Sequence, residues 1–137
     1  MQFYSQNVLH YNMTRYYVMI LLFSVCGYAS AHQWTPTYPT LKPSYASGVL
    51  VTRMELLNSR EDVSYYEIGV FDEDFLPVPF ATAEKIINLP YLSRKSVDIF
   101  IRQQDKSKAV YICSKSKLLA KGSAITSISS RICSKIK

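Results

Sequence analysis

A chain of 137 residues builds one modest hydrophobic core and is read as a single domain. It is 48% hydrophobic and carries a net charge of +6. Its four glycines are dispersed, which excludes a glycine-rich phosphate loop, and the basic balance comes without a nucleic-acid-binding motif.

Arg15 stands just before an apolar run at residues 16–31, which closes on Ala29, Ser30 and Ala31. This is the layout of a secretory signal peptide, with Ala29 and Ala31 as the small residues of the cleavage site. Ser24, Gly27 and Ser30 interrupt the run, and it falls short of the roughly 20 apolar residues that a spanning helix needs. A membrane anchor is the alternative if the segment is retained. Residues 1–12 hold no base, and Met13, Thr14 and Arg15 make a better start for the leader. Cys26, a candidate for lipid attachment, follows Val25 rather than a small residue. The expected organisation is a signal peptide at 1–31, an extended lead-in at 32–47 and one domain at 48–137. The expected location is periplasmic or secreted.

In the lead-in, Pro36, Pro39 and Pro43 forbid a helix and favour an extended course. His32 is read as lying in this flexible stretch. Trp34, Tyr38 and Tyr45 are candidates for packing on the domain or on a partner. From Val49 the period becomes two, with Leu50, Thr52, Met54 and Leu56 on one face and Arg53 and Glu55 on the other. Residues 58–62 read as a polar turn. A second strand follows at 65–72, with Tyr66, Ile68 and Val70 inward. Asp72, Glu73 and Asp74 enter a loop with Pro77 and Pro79. Residues 81–89 suit a strand or a short helical turn. Residues 96–102 are a clear strand with Val97, Ile99 and Ile101 on one face, and residues 103–108 are a polar turn.

The last two strands are expected at 109–116 and 124–133, with Gly122 and Ser123 at the turn between them. Cys113 and Cys133 are the cysteines that remain after cleavage. An even pair in a small exported domain reads as one disulfide, worth roughly 3 kcal/mol through the loop it closes. Setting Cys113 opposite Cys133 centres the hairpin on residue 123, where the turn chemistry lies. Short strands at regular spacing predict an all-β, immunoglobulin-like antiparallel β-sandwich preceded by a signal peptide. Tyr111, Ile112 and Cys113, with Ala109 ahead of them, are similar to the tyrosine-corner stretch of immunoglobulin-type domains.

The order of elements extends that similarity. Residues 51–58 (VTRMELLN), 65–73 (YYEIGVFDE), 79–82 (PFAT), 87–90 (INLP), 96–102 (SVDIFIR) and 110–113 (VYIC) follow one another as in a known family. The chain resembles the N-terminal domain of the periplasmic pilus chaperones, the PapD-like immunoglobulin fold. That resemblance implies a sandwich whose exposed strand edges bind another protein by strand addition. The isoleucines at 125, 128 and 132 are spaced irregularly, and no residue here is matched to the family's subunit-anchoring bases.

Charge is distributed in two blocks. Residues 55–74 hold Glu55, Glu61, Asp62, Glu67, Asp72, Glu73 and Asp74 against Arg60 alone, while residues 106–137 carry bases and no acid. Lys115, Lys117, Lys121, Arg131, Lys135 and Lys137 surround the disulfide hairpin. They form either the wet face of a two-stranded ribbon, as lysine-protected edges do, or a patch for an anionic envelope surface.

Catalytic chemistry is scarce. His32 is the only histidine of the mature chain, so a triad lacks its base and a copper-binding histidine pair lacks its second ligand. Asp72, Glu73 and Asp74 are oxygen donors for calcium or, more simply, a solvated loop. Glu67 with Glu84 are carboxylates of the type glycosidases pair, with nothing in the sequence to fix their separation. The expectation is a non-catalytic, exported protein-binding module without metal or cofactor, which uses strand edges, the aromatic lead-in or the basic hairpin. No nucleic-acid partner is expected, and a membrane enters only with a retained leader. The alternatives are an envelope-associated structural protein and, third, a small secreted hydrolase.

Overall fold

A strand buries every second residue, so alternating patterns fix both the strands and the face each turns to the core. The computed structural model describes residues 31–117 and 128–137 and is all-β. The strands are β1 (Gln33–Thr35), β2 (Lys42–Pro43), β3 (Val49–Leu57), β4 (Tyr65–Phe71), β5 (Ile86–Asn88), β6 (Arg94–Arg102), β7 (Tyr111–Lys117) and β8 (Arg131–Lys135). A single 3-10 turn, Gln103–Asp105, joins β6 to β7. Among the described residues no helix is long and apolar enough to cross a membrane.

Two antiparallel sheets of four strands face each other. In the first, β3 pairs with β6 on one side. On its other side β1 and β2 pair with different halves of it, Trp34 opposite Leu56 and Lys42 opposite Val51. The second sheet runs β5-β4-β7-β8. This is an immunoglobulin-like sandwich, as the strand spacing predicts.

The inward faces follow the sequence pattern. Leu50, Thr52, Met54 and Leu56 are buried from β3, Tyr66, Ile68 and Val70 from β4, and Val97, Ile99 and Ile101 from β6. Ile87 and Ile112 complete the floor of the core. Filling a sandwich interior with β-branched and aromatic side chains suits the pleated surface and excludes water from both inner faces.

Several elements differ from expectation. Of residues 81–89, only Ile86–Asn88 forms a strand, paired with β4, while Ala81 makes an isolated bridge to Phe100. Strand β6 begins at Arg94, two residues early, because β3 is long enough to pair with it as far as Leu57 opposite Arg94. The lead-in is part of the sandwich. After β1 the chain passes a cis Thr35–Pro36 peptide and crosses to the second sheet. There the Lys135 N–H donates to the Thr37 carbonyl and the Lys137 N–H to the Pro39 carbonyl, each at 3.0 Å. It then returns to β3 as β2. The signal-peptide reading, including Ala29, and the hairpin turn with Lys121 lie outside the described residues.

Candidate protein-binding edge

In an antiparallel pair, residues alternate between positions whose backbone groups face the partner and positions whose groups face away. On β8 the phase is fixed at both ends. The Ser116 N–H donates to the Ser130 carbonyl at 2.8 Å, and the Ile136 N–H donates to the Val110 carbonyl at 2.8 Å. Even-numbered residues of β8 therefore bond to β7, and Arg131, Cys133 and Lys135 turn their N–H and C=O groups outward. Thr37 takes the Lys135 N–H. Among the described residues, nothing pairs with the outward backbone groups of Arg131 and Cys133. β8 ends the β5-β4-β7-β8 sheet, so this stretch is a sheet edge, with β1 passing close beside it but making no hydrogen bond to Arg131 or Cys133 among the described residues.

The disulfide secures that edge. Cys113 and Cys133 lie directly opposite each other, with Cα atoms 4.0 Å apart and the sulfurs bonded at 2.05 Å. Their pair is of the non-hydrogen-bonded kind, where opposed side chains are closest, so the bond bridges β7 and β8 on the outer face. The register the sequence implies is the register observed.

The outer face beside the edge is cationic. Lys115 stands opposite Arg131, and Tyr111 opposite Lys135. The Arg131 guanidinium lies 5.4 Å from the centre of the Phe71 ring, and Tyr111 stacks on Phe75 at 4.9 Å. Gly69 makes room for this arrangement, since a Cβ there would meet the Phe71 ring at 2.7 Å. Lys117 is neutralised by Glu67 at 2.8 Å. Lys115, Arg131 and Lys135 make no ion pair among the described residues. Lys137 lies 5.6 Å from the Tyr38 ring centre.

A buried polar cluster holds the segment that leads into β8. His32 Nε2 is 2.7 Å from Ser114 Oγ, and its Nδ1 is 3.2 Å from Ser130 Oγ. The Ser130 N–H donates to Ser116 Oγ at 2.8 Å. The Arg60 guanidinium makes a paired contact with Asp62 at 2.9 and 2.6 Å and donates to the Ile128 carbonyl at 3.1 Å. Behind them the Tyr66 hydroxyl donates to Asn58 Oδ1 at 2.6 Å, while Asn58 Nδ2 donates to the carbonyls of Val63 and Leu89. Burial lowers the His32 pKa; a hydrogen bond involving Ser114 opposes this and the Arg60 charge adds to it. Burial pushes the Tyr66 hydroxyl up to about 12. Both rings are thus neutral hydrogen-bonding groups at ordinary pH.

These positions correct parts of the sequence reading. His32 is 2% exposed and wedged in the cluster instead of lying in a flexible lead-in. With Ser114 it forms a serine–imidazole pair, but Ser114 is fully buried and the second ring nitrogen faces a hydroxyl instead of a carboxylate. Trp34 is 4% exposed, so it is not on offer to a partner: pairing with β3 turns the ring inward, and its indole N–H donates to the Ile112 carbonyl at 3.0 Å. Tyr38 is exposed, and Tyr45, at 95% exposure, lies 6.4 Å from Phe100 on the opposite sheet's outer face. Residues 58–62, read as a polar turn, contain Asn58 and Arg60, both buried. Asp72 uses its Oδ1 to accept the N–H groups of Asp74 and Leu76, which closes its own loop. Glu67 and Glu84 do not pair as carboxylates; each has its own lysine, Lys117 and Lys95.

No family model and no curated protein sequence matches the chain. Among solved structures, the crystal structure of the E. coli chaperone DraB matches with a TM-score of 0.60 at 17% identity. The fold is that of the PapD-like chaperones. The match covers 77% of this chain and 53% of DraB, so the chain spans about half the length of that chaperone. At this identity the similarity to DraB is one of fold.

Proposed function

We propose that this domain is an exported, non-catalytic binding module of chaperone-like type, which takes an extended segment of a partner protein as an added strand along β8. The observation that carries this reading is the pair of outward-facing backbone positions at Arg131 and Cys133 on a terminal strand, unpartnered among the described residues. Main-chain hydrogen bonds would supply affinity and the flanking side chains specificity. The chaperone fold, the disulfide and the leader-like N-terminus all support it. The sealed state of the His32–Ser114 pair favours binding over hydrolysis.

Amide hydrogen exchange at β8 tests it. A partner segment that binds by strand addition slows exchange at Arg131 and Cys133 while leaving the already bonded Ile132 and Ser134 unchanged. Binding that leaves the Arg131 and Cys133 amides at their free rates sinks the proposal.

A further inference from the structure

The chemistry of the segment that β8 accepts is written in the side chains beside the edge. This inference rests on the strand-addition reading. A strand laid against β8 sets its outward side chains directly opposite those of Arg131 and Cys133, at cross-strand contact distance, with Lys135 on the diagonal. Arg131 and Lys115 already oppose each other across the β7–β8 pair, an unfavourable like-charge juxtaposition. Glu67 stands opposite Lys115 from β4 and makes its ion pair with Lys117 at 2.8 Å, so among the described residues no carboxylate stands opposite Arg131 itself. The inward side differs. Ile132 packs against the core from the edge strand, so the neighbouring inward position of an added strand extends an apolar surface.

We propose that the edge is selective for an extended partner segment with acidic residues at alternate positions and apolar residues between them. The acids lie on the outer side, where Lys135 and, on leaving the Phe71 ring over which its guanidinium rests, Arg131 supply the positive charge; the apolar residues lie beside Ile132. Charge complementarity chooses a protein strand of this pattern over a neutral or basic one, and it sets encounter rate as well as affinity.

Blocked peptides of alternating Glu and Val, Ser and Val, or Lys and Val, titrated into the ¹⁵N-labelled, disulfide-bonded protein, test this. The Glu–Val peptide is expected to bind roughly fivefold tighter than Ser–Val, from one to two favourable cross-strand pairs. Lys–Val is expected to be the weakest. Arg131→Gln should erase most of the Glu–Val advantage, as should raised salt, while the Ser–Val affinity stays level. If all three peptides protect the Arg131 and Cys133 amides equally, the acidic preference is wrong and the strand-addition reading survives. If no peptide protects those amides, the strand-addition reading itself fails, and the acidic preference with it. Binding to phosphatidylglycerol vesicles through Arg131 and Lys115, without peptide selectivity, overturns the inference in favour of a membrane surface.

Discussion

His32 and Ser130 are 98 residues apart in sequence, yet the imidazole Nδ1 sits 3.2 Å from the serine hydroxyl. With Ser114 on the other ring nitrogen, the histidine bridges the start of the first sheet to the edge of the second. A neutral imidazole serves both serines by donating at one nitrogen and accepting at the other.

Protonation removes that balance, and the surroundings oppose it. Arg60 is the nearby positive charge and Asp62 its counter-ion; Tyr66 packs its ring 4.7 Å from the imidazole. Because the folded pKa lies below the ordinary value near 6.5, the unfolded chain binds a proton that the folded chain does not. Stability is therefore complete above about pH 6.5 and falls as pH drops through the window between the two values. Urea unfolding at about pH 7.5 and about pH 5.5 should show a larger loss for the native protein than for His32→Gln. Equal losses would mean His32 carries no such linkage.

Asn58 organises the other half of the cluster. It is fully buried and joins the Tyr66 hydroxyl, the Arg60 N–H and the carbonyls of Val63 and Leu89. Asn58→Ala leaves these groups unsatisfied and is expected to cost about 2–4 kcal/mol, at the upper end for a buried polar deletion. Chemical denaturation reads it, and a loss below about 1 kcal/mol would contradict the network.

Trp34 separates structure from recognition. Trp34→Phe keeps an aromatic ring but leaves the Ile112 carbonyl without its indole donor, and is expected to destabilise by about 1–3 kcal/mol. Peptide affinity at β8 should not change. A lost affinity at unchanged stability would put Trp34 in a partner contact.

The Cys113–Cys133 bond closes a loop with a sequence separation of 20. Replacing both with alanine should cost about 3 kcal/mol on the chain-entropy account. It should also speed amide exchange at Ile132 and Ser134, since β8 is then held to β7 by hydrogen bonds alone.

The strand cores and the disulfide register were legible because their signals are local. Met54, Ile68 and Ile99 sit in clean alternations, and the midpoint of Cys113 and Cys133 falls on the Gly122–Ser123 pair, a turn signal in the sequence itself. What escaped depends on distant partners. Trp34 reads as packing on either the domain or a partner, and His32 as part of a flexible lead-in, because the Ile112 carbonyl and Ser114 lie 78 and 82 residues away. Arg60 reads as a turn residue because its acceptor, the Ile128 carbonyl, is 68 residues on. That β8 ends a sheet is likewise a property of strand order, which alternation alone does not encode.

The crossing of the chain at Thr37 and Pro39 has a consequence for alignment. Their carbonyls occupy the C-terminal end of the β8 edge, so an incoming strand meets a fixed abutment just past Cys133. A slip of one residue inverts every side chain of a strand. In the proposed strand addition, the short stretch after Pro36 would be a datum from which the added segment is measured, and would bias which of that segment's two faces is turned to the solvent.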